Sequence, residues 1–132
     1  MFAWDIDPAA REKTFRNASA NGVADRITVE GAFDAAQFDT YGGQRALVIC
    51  DIEGAEFDLL DPAQSPALVA FDLIVELHPD EERSVGEFTA RFEVTHDVEI
   101  VQPEGRDPGR FAALTALPVL DRMFALVERL EV

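Results

Sequence analysis

The chain predicts an α/β fold with a mainly parallel sheet, and three observations carry that expectation. Ala46-Leu47-Val48-Ile49-Cys50 is a continuous apolar run of strand length, suited to a strand covered on both faces. Strand-like runs alternate with helical ones along the chain. Turn signals separate them at Asp7-Pro8, Asn21-Gly22, Tyr41-Gly42-Gly43-Gln44 and Asp61-Pro62.

In chain order, Met1 to Ile6 opens apolar and reads as a short buried strand. Asp7 is the N-cap of the next helix and Pro8 its first residue. That helix turns Ala10, Phe15 and Ala18 inward and stops at Asn21-Gly22, a left-handed C-terminal signal. Ile27-Thr28-Val29-Glu30 is a second strand and Ala46–Cys50 the third, ending at Asp51. Glu53 to Leu60 reads as helix, closed by Asp61-Pro62. Phe71 to Leu77 is a fourth strand stopped by His78-Pro79, and Asp80 to Phe92 an amphipathic helix. His96 to Val101 alternates as a fifth strand, and Gln102 to Gly109 is a loop. Residues 119–131 form a last helix, with Met123, Phe124, Val127 and Leu130 on one face.

The 132 residues suit a single domain spanning 1–132, with 48% hydrophobic and 28% charged residues. Acidic residues outnumber basic ones by 26 to 11, giving a net charge of −15. That balance argues against nucleic-acid partners and against an anionic membrane surface, and reads first as a solubilising surface. Cys50 is the only cysteine and lies in an apolar run, so a small buried hydrophobe is expected there and no intrachain disulfide. No stretch reaches membrane-spanning length and no basic leader opens the chain; a cytoplasmic protein is expected.

Ligands of open α/β sheets bind beyond the carboxyl ends of the strands, so residues just after strands draw attention. Asp5 and Asp7 follow the first strand, Gly31-Ala32-Phe33-Asp34 the second, Asp51-Ile52-Glu53-Gly54 the third, and His78 the fourth. Asp7 is read as a cap only. A carboxylate after an early strand can accept hydrogen bonds from both hydroxyls of a ribose, and Asp5 is placed for that. Gly31-Ala32 lets backbone approach a flat adenine ring, and Phe33 either packs on its face or joins the core. His78 is either a general base or a strand-end cap.

These residues resemble a family. Phe2-Ala3-Trp4-Asp5-Ile6-Asp7-Pro8, Asn17, Asn21-Gly22 and Asp25-Arg26-Ile27-Thr28-Val29 look like the second and third strand regions of S-adenosylmethionine-dependent methyltransferases. Asp51-Ile52-Glu53-Gly54-Ala55-Glu56 with Leu59-Leu60 is similar to the D-x-E-G-A-E segment of the FkbM-like branch. Phe71-Asp72-Leu73-Ile74-Val75-Glu76-Leu77-His78 resembles the strand that follows it there. The resemblance spans roughly residues 2 to 78. It implies a Rossmann-like three-layer sandwich, S-adenosyl-L-methionine as cofactor, and O-methylation of a small molecule or sugar. By position, Asp5 would hold the ribose, Gly31, Ala32 and Phe33 would contact adenine, and Asp51 would face the methyl donor and substrate. Asp51 or His78 would supply the base. No metal is expected; Asp51 with Glu53 makes only a thin case for a carboxylate-bound divalent ion.

One departure matters. The family's first, central strand ends in a glycine-rich turn around the cofactor's methionine end, and this chain has no glycine before Gly22. The fold is thus expected to be N-terminally truncated, with cofactor binding impaired and methyl transfer weak or absent. The family's strand order, 3-2-1-4-5-7-6, would lose its middle strand and leave two unpaired edges. The favoured alternative closes the gap by pairing the Met1 strand with the Ala46 strand, in the order 2-1-3-4-5. That closure raises a rival reading, a degenerate receiver-like signalling module phosphorylated at Asp51 and lacking the lysine such sites use. Self-association through an exposed sheet edge or the last helix is compatible with either.

Overall fold

The structure is a computed structural model, and it describes residues 1–102 and 110–124. The chain divides into two compact units, residues 1–98 and 99–132. The first holds four strands as two separate parallel pairs. In one, β1 (Phe2–Trp4) runs beside β2 (Thr28–Glu30), with Ala3 opposite Val29. In the other, β3 (Leu47–Cys50) runs beside β4 (Asp72–Val75), with Cys50 opposite Val75. The α/β class and the parallel sense therefore hold.

The expected closure of the Met1 strand onto the Ala46 strand is absent: among the described residues β1 pairs only with β2, and β3 only with β4. Aromatic packing joins the two pairs instead. Trp4 meets Phe33 edge-on at 4.6 Å, Phe33 meets Phe38 at 4.7 Å, and Phe38 approaches Phe71, which leads into β4. Phe38 lies on a 3₁₀ segment, Ala35–Tyr41, opened by a capping box between Asp34 and Gln37. The Ser65 hydroxyl, wholly buried, ties this segment down by donating to the Ala35 carbonyl at 2.7 Å.

Local signals set most boundaries. The Asp7 carboxylate accepts from the Ala9 N–H, and α1 (Pro8–Ala20) follows with proline in its first turn. Asn21 caps its end, and Gly22 takes φ +66°. Only Ala18 of α1 is buried; Phe15, expected inward, is 55% exposed. A two-stranded sheet is too narrow to cover the stripe of a 13-residue helix. The helix expected from Glu53 shrinks to one turn, α2 (Glu56–Leu59), because Glu53 and Gly54 adopt positive φ. The helix expected from Asp80 begins only after the Ser84 cap, as α3 (Val85–Ala90), with Glu87 completing the capping box. Asp80 instead turns the chain, accepting the N–H groups of Glu82 and Arg83.

The expected fifth strand over His96–Val101 is not formed. The N–H groups of Thr95 and His96 both bond the Phe92 carbonyl, and the His96 ring reaches the Phe71 carbonyl, which holds the start of that stretch in a turn. In the second unit, α4 (Val119–Phe124) matches the start of the expected last helix. The rest of that helix, and most of the Gln102–Gly109 loop, lie outside the described residues.

The core gathers Phe38, Cys50, Phe57, Leu60, Leu68, Phe71, Phe88 and Phe92. It covers one face of the β3–β4 pair. The other presents Leu47, Ile49 and Ile74, with Ile49 73% exposed, so the expected burial of β3 on both faces is corrected. No helix among the described residues is long and apolar enough to cross a membrane.

Leu60 and Leu68 are completely enclosed, so truncation leaves a cavity that neighbouring rings close only in part. Leu68→Ala is expected to cost about 3 kcal/mol, read as a lower urea midpoint at unchanged slope.

Candidate functional site

Because β3 and β4 are parallel and in register, their carboxyl ends emerge side by side. The Glu76 N–H bonds the Cys50 carbonyl at 2.9 Å, continuing the ladder past both strands. The segment after β3, residues 51–56, therefore faces the segment after β4, which brings in His78.

At the centre stands Glu56, whose side chain is wholly buried. A buried carboxylate must find donors, and here backbone N–H groups and the His78 ring converge on it. Its Oε1 accepts from the Ile52 N–H at 2.8 Å and from the Gly54 N–H at 3.2 Å. Its Oε2 accepts from the Gly54 N–H at 3.0 Å, and His78 Nδ1 lies 3.2 Å from Oε1. To present both N–H groups inward the loop takes left-handed turns, with φ +56° at Glu53 and φ +102° at Gly54. A side chain at position 54 would be strained at that angle, and this explains the glycine.

Bonded to Glu56 through Nδ1, the His78 imidazole turns Nε2 toward two exposed carboxylates. Asp51 Oδ1 lies 4.0 Å away and Glu53 Oε2 3.8 Å. The structure thus brings Asp51 and His78 together, and adds Glu53 and Glu56 to them. Arg83 walls this region. It stacks over Phe57 at 5.1 Å and is held by Asp80, with NH2 to Oδ2 at 2.6 Å.

The remaining sequence-expected residues stand on the other strand pair. Asp5 follows β1, is exposed, and accepts the Asp7 N–H at 2.8 Å. Its own N–H bonds the Glu30 carbonyl at 3.2 Å, so Asp5 sits beside Gly31 at neighbouring strand ends. Gly31 is half-buried and Ala32 exposed, while Phe33 packs between Trp4 and Phe38. Phe33 thus packs against the aromatic cluster while staying partly exposed.

Burial pushes the Glu56 carboxyl upward, but the bonds from Ile52, its own backbone, Gly54 and His78 outweigh it and hold it below 4.5. Burial pushes His78 downward, and the bond and charge of Glu56, then the charges of Glu53 and Asp51, reverse that; its pKa lies above 6.5. Cys50, beneath the loop, is pushed up to about 11 by burial and then by Glu56 and Asp51, so its thiol stays protonated and unreactive.

Glu56 is the residue that sequence reasoning passed over. It stood inside the D-x-E-G-A-E segment, yet nothing in a run of acids says which one turns inward. The only signal was Gly54 two residues before it, a position from which the backbone can fold over a carboxylate.

Two pH effects follow, with opposite signs. Stability contributed by protonated His78 is complete below 6.5 and fades as pH rises through its elevated native pKa. Stability contributed by ionised Glu56 is complete above 4.5 and is lost as pH falls through its lowered native pKa. Imidazole NMR titration is expected to give His78 a pKa above 6.5, and Glu56→Gln is expected to lower it; no change on substitution would contradict the pairing. No family model, curated protein or solved structure matches the chain, so the residues themselves carry the functional reading.

Proposed function

We propose that the chain carries the acceptor side of an S-adenosyl-L-methionine-dependent methyl-transfer site, acting on a hydroxyl of a small molecule or sugar. The observation that carries the reading is the His78–Glu56 pair at the strand ends, with Asp51 beside it. It is the arrangement a hydroxyl acceptor needs, because its proton must leave as its oxygen is alkylated.

The residues present fit the nucleoside end of such a cofactor. Asp5 is an exposed carboxylate at the end of β1, able to accept from two ribose hydroxyls, and its bond to Glu30 keeps Gly31 and Ala32 alongside. Phe33, locked in the aromatic core, supports that corner from below. The methionine end has no glycine-rich cradle in this chain, whose first glycine is Gly22.

When bound, the cofactor supplies an electrophilic methyl group on a positively charged sulfur. The chain's own residues do the rest. Glu56, fixed by Ile52 and Gly54, holds the His78 ring and stabilises its protonated form. The outer nitrogen, Nε2, takes the proton of the acceptor hydroxyl. Asp51 and Glu53 place negative charge next to that point, which favours both the imidazolium and a cationic donor.

Calorimetric titration of S-adenosylhomocysteine into the chain is expected to give a weak saturable heat that Asp5→Ala abolishes at unchanged melting. No heat at millimolar ligand, or the same heat in both proteins, would overturn the reading.

A further inference from the structure

We propose that Asp51, Glu53 and His78 form a binding site for a divalent transition-metal ion, with Glu56 holding the imidazole from behind. The donor set comes from two separate segments, the loop after β3 and the end of β4, and it mixes a ring nitrogen with carboxylates. His78 Nε2 lies 4.0 Å from Asp51 Oδ1 and 3.8 Å from Glu53 Oε2. Single donor atoms of Asp51, Glu56 and His78 all fall within 4.8 Å of one another.

The role of Glu56 follows from its bonds. It is wholly buried, and the N–H groups of Ile52 and Gly54 and the His78 ring already occupy its oxygens. It acts on the ion through the imidazole. A carboxylate behind a ligating histidine fixes the tautomer and aims the outer nitrogen, the usual second partner of a metal-bound imidazole. With Nδ1 turned to Glu56, the Nε2 lone pair points among two carboxylates. Two carboxylates and the ring nitrogen converge on one point, where either a proton on Nε2 or a metal cation offsets the negative charge.

The spacing suits a small ion. Donors about 2.0–2.2 Å from a tetrahedral centre stand about 3.4 Å apart. Measured from His78 Nε2, Glu53 Oε2 at 3.8 Å and Asp51 Oδ1 at 4.0 Å stand a few tenths of an ångström beyond that spacing, and both carboxylates are exposed. One imidazole and two carboxylates select Zn²⁺, Co²⁺ or Mn²⁺ over Ca²⁺, which takes more oxygens. With three protein ligands, a fourth position stays open to water or to an acceptor oxygen. This differs from the sequence-based expectation of no metal, which had no sight of His78 closing on the loop.

The site goes beyond the methyl-transfer reading and does not rest on it. An ion at Nε2 takes the lone pair that accepts a proton in the metal-free site, so occupancy switches His78 from base to ligand. Cobalt chloride titrated into the full chain is expected to give visible Co²⁺ absorbance saturating at one equivalent. His78→Gln and Glu53→Gln are each expected to weaken binding at least tenfold, with circular dichroism unchanged in both and melting unchanged in Glu53→Gln. Absence of a saturable signal would overturn the proposal. So would equal titrations in the native chain and Glu53→Gln, which would put the cobalt elsewhere on the acidic surface. Should His78→Gln fail to fold, Glu53→Gln decides alone, since that side chain is exposed and its loss leaves the core intact. The readout is independent of S-adenosylhomocysteine binding, so either reading can fail without the other.

Discussion

A buried carboxylate cannot remain ionised without donors, and the demand of Glu56 for them shapes the whole region beyond β3 and β4. It folds residues 51–56 inward so that two backbone N–H groups meet it, which forces Glu53 and Gly54 into left-handed conformations. The same loop cuts α2 to a single turn. It also recruits His78 from the neighbouring strand, and through His78 gathers Asp51 and Glu53. Even the Cys50 thiol below answers to it, held protonated by burial and by the charge of Glu56. One side chain thus sets loop geometry, ring orientation and the local charge state together.

The rest of the first unit is held in a different manner. The two short parallel pairs share no ladder, and the rings of Trp4, Phe33, Phe38 and Phe71 bridge them. Aromatic contacts of this kind contribute about 0.5–1.5 kcal/mol each beyond the area they bury. Trp4 keeps a cost within that packing, since its Nε1 is buried and no partner for it is found among the described residues. The outer face of β3 and β4, with Leu47, Ile49 and Ile74 in water, marks the limit of what this core can cover.

Much of the fold was legible in the residues. Asp7-Pro8 started a helix, Asn21-Gly22 ended it, and the apolar runs at 47–50 and 72–75 became parallel neighbours. These signals are local, and local physics decides them. Pairing between strands is not local. Closure of β1 onto β3 satisfied the same hydrophobic pattern as two separate pairs, and the pattern could not choose between them. Phe15 and the His96–Val101 stretch show the same limit from the other side. Their periodicity was adequate, but no strand among the described residues lies alongside to receive them. Of the site, Asp51 and His78 could be found from their places after strands, whereas Glu56 could not. Its importance arises from being enclosed, and enclosure belongs to the assembled structure.

The central claim is that Glu56 is the organising acceptor of the loop, and amide hydrogen exchange at Ile52 and Gly54 tests it most directly. These N–H groups lie in a loop outside any helix or strand, so only the carboxylate gives them reason to be slow. Both are expected to exchange far more slowly than free loop amides, and to lose that protection in Glu56→Ala while the Val48 and Ile74 amides within the β3–β4 pair keep theirs. Fast exchange at Ile52 and Gly54 in the native chain, or protection that survives the substitution, would contradict the account.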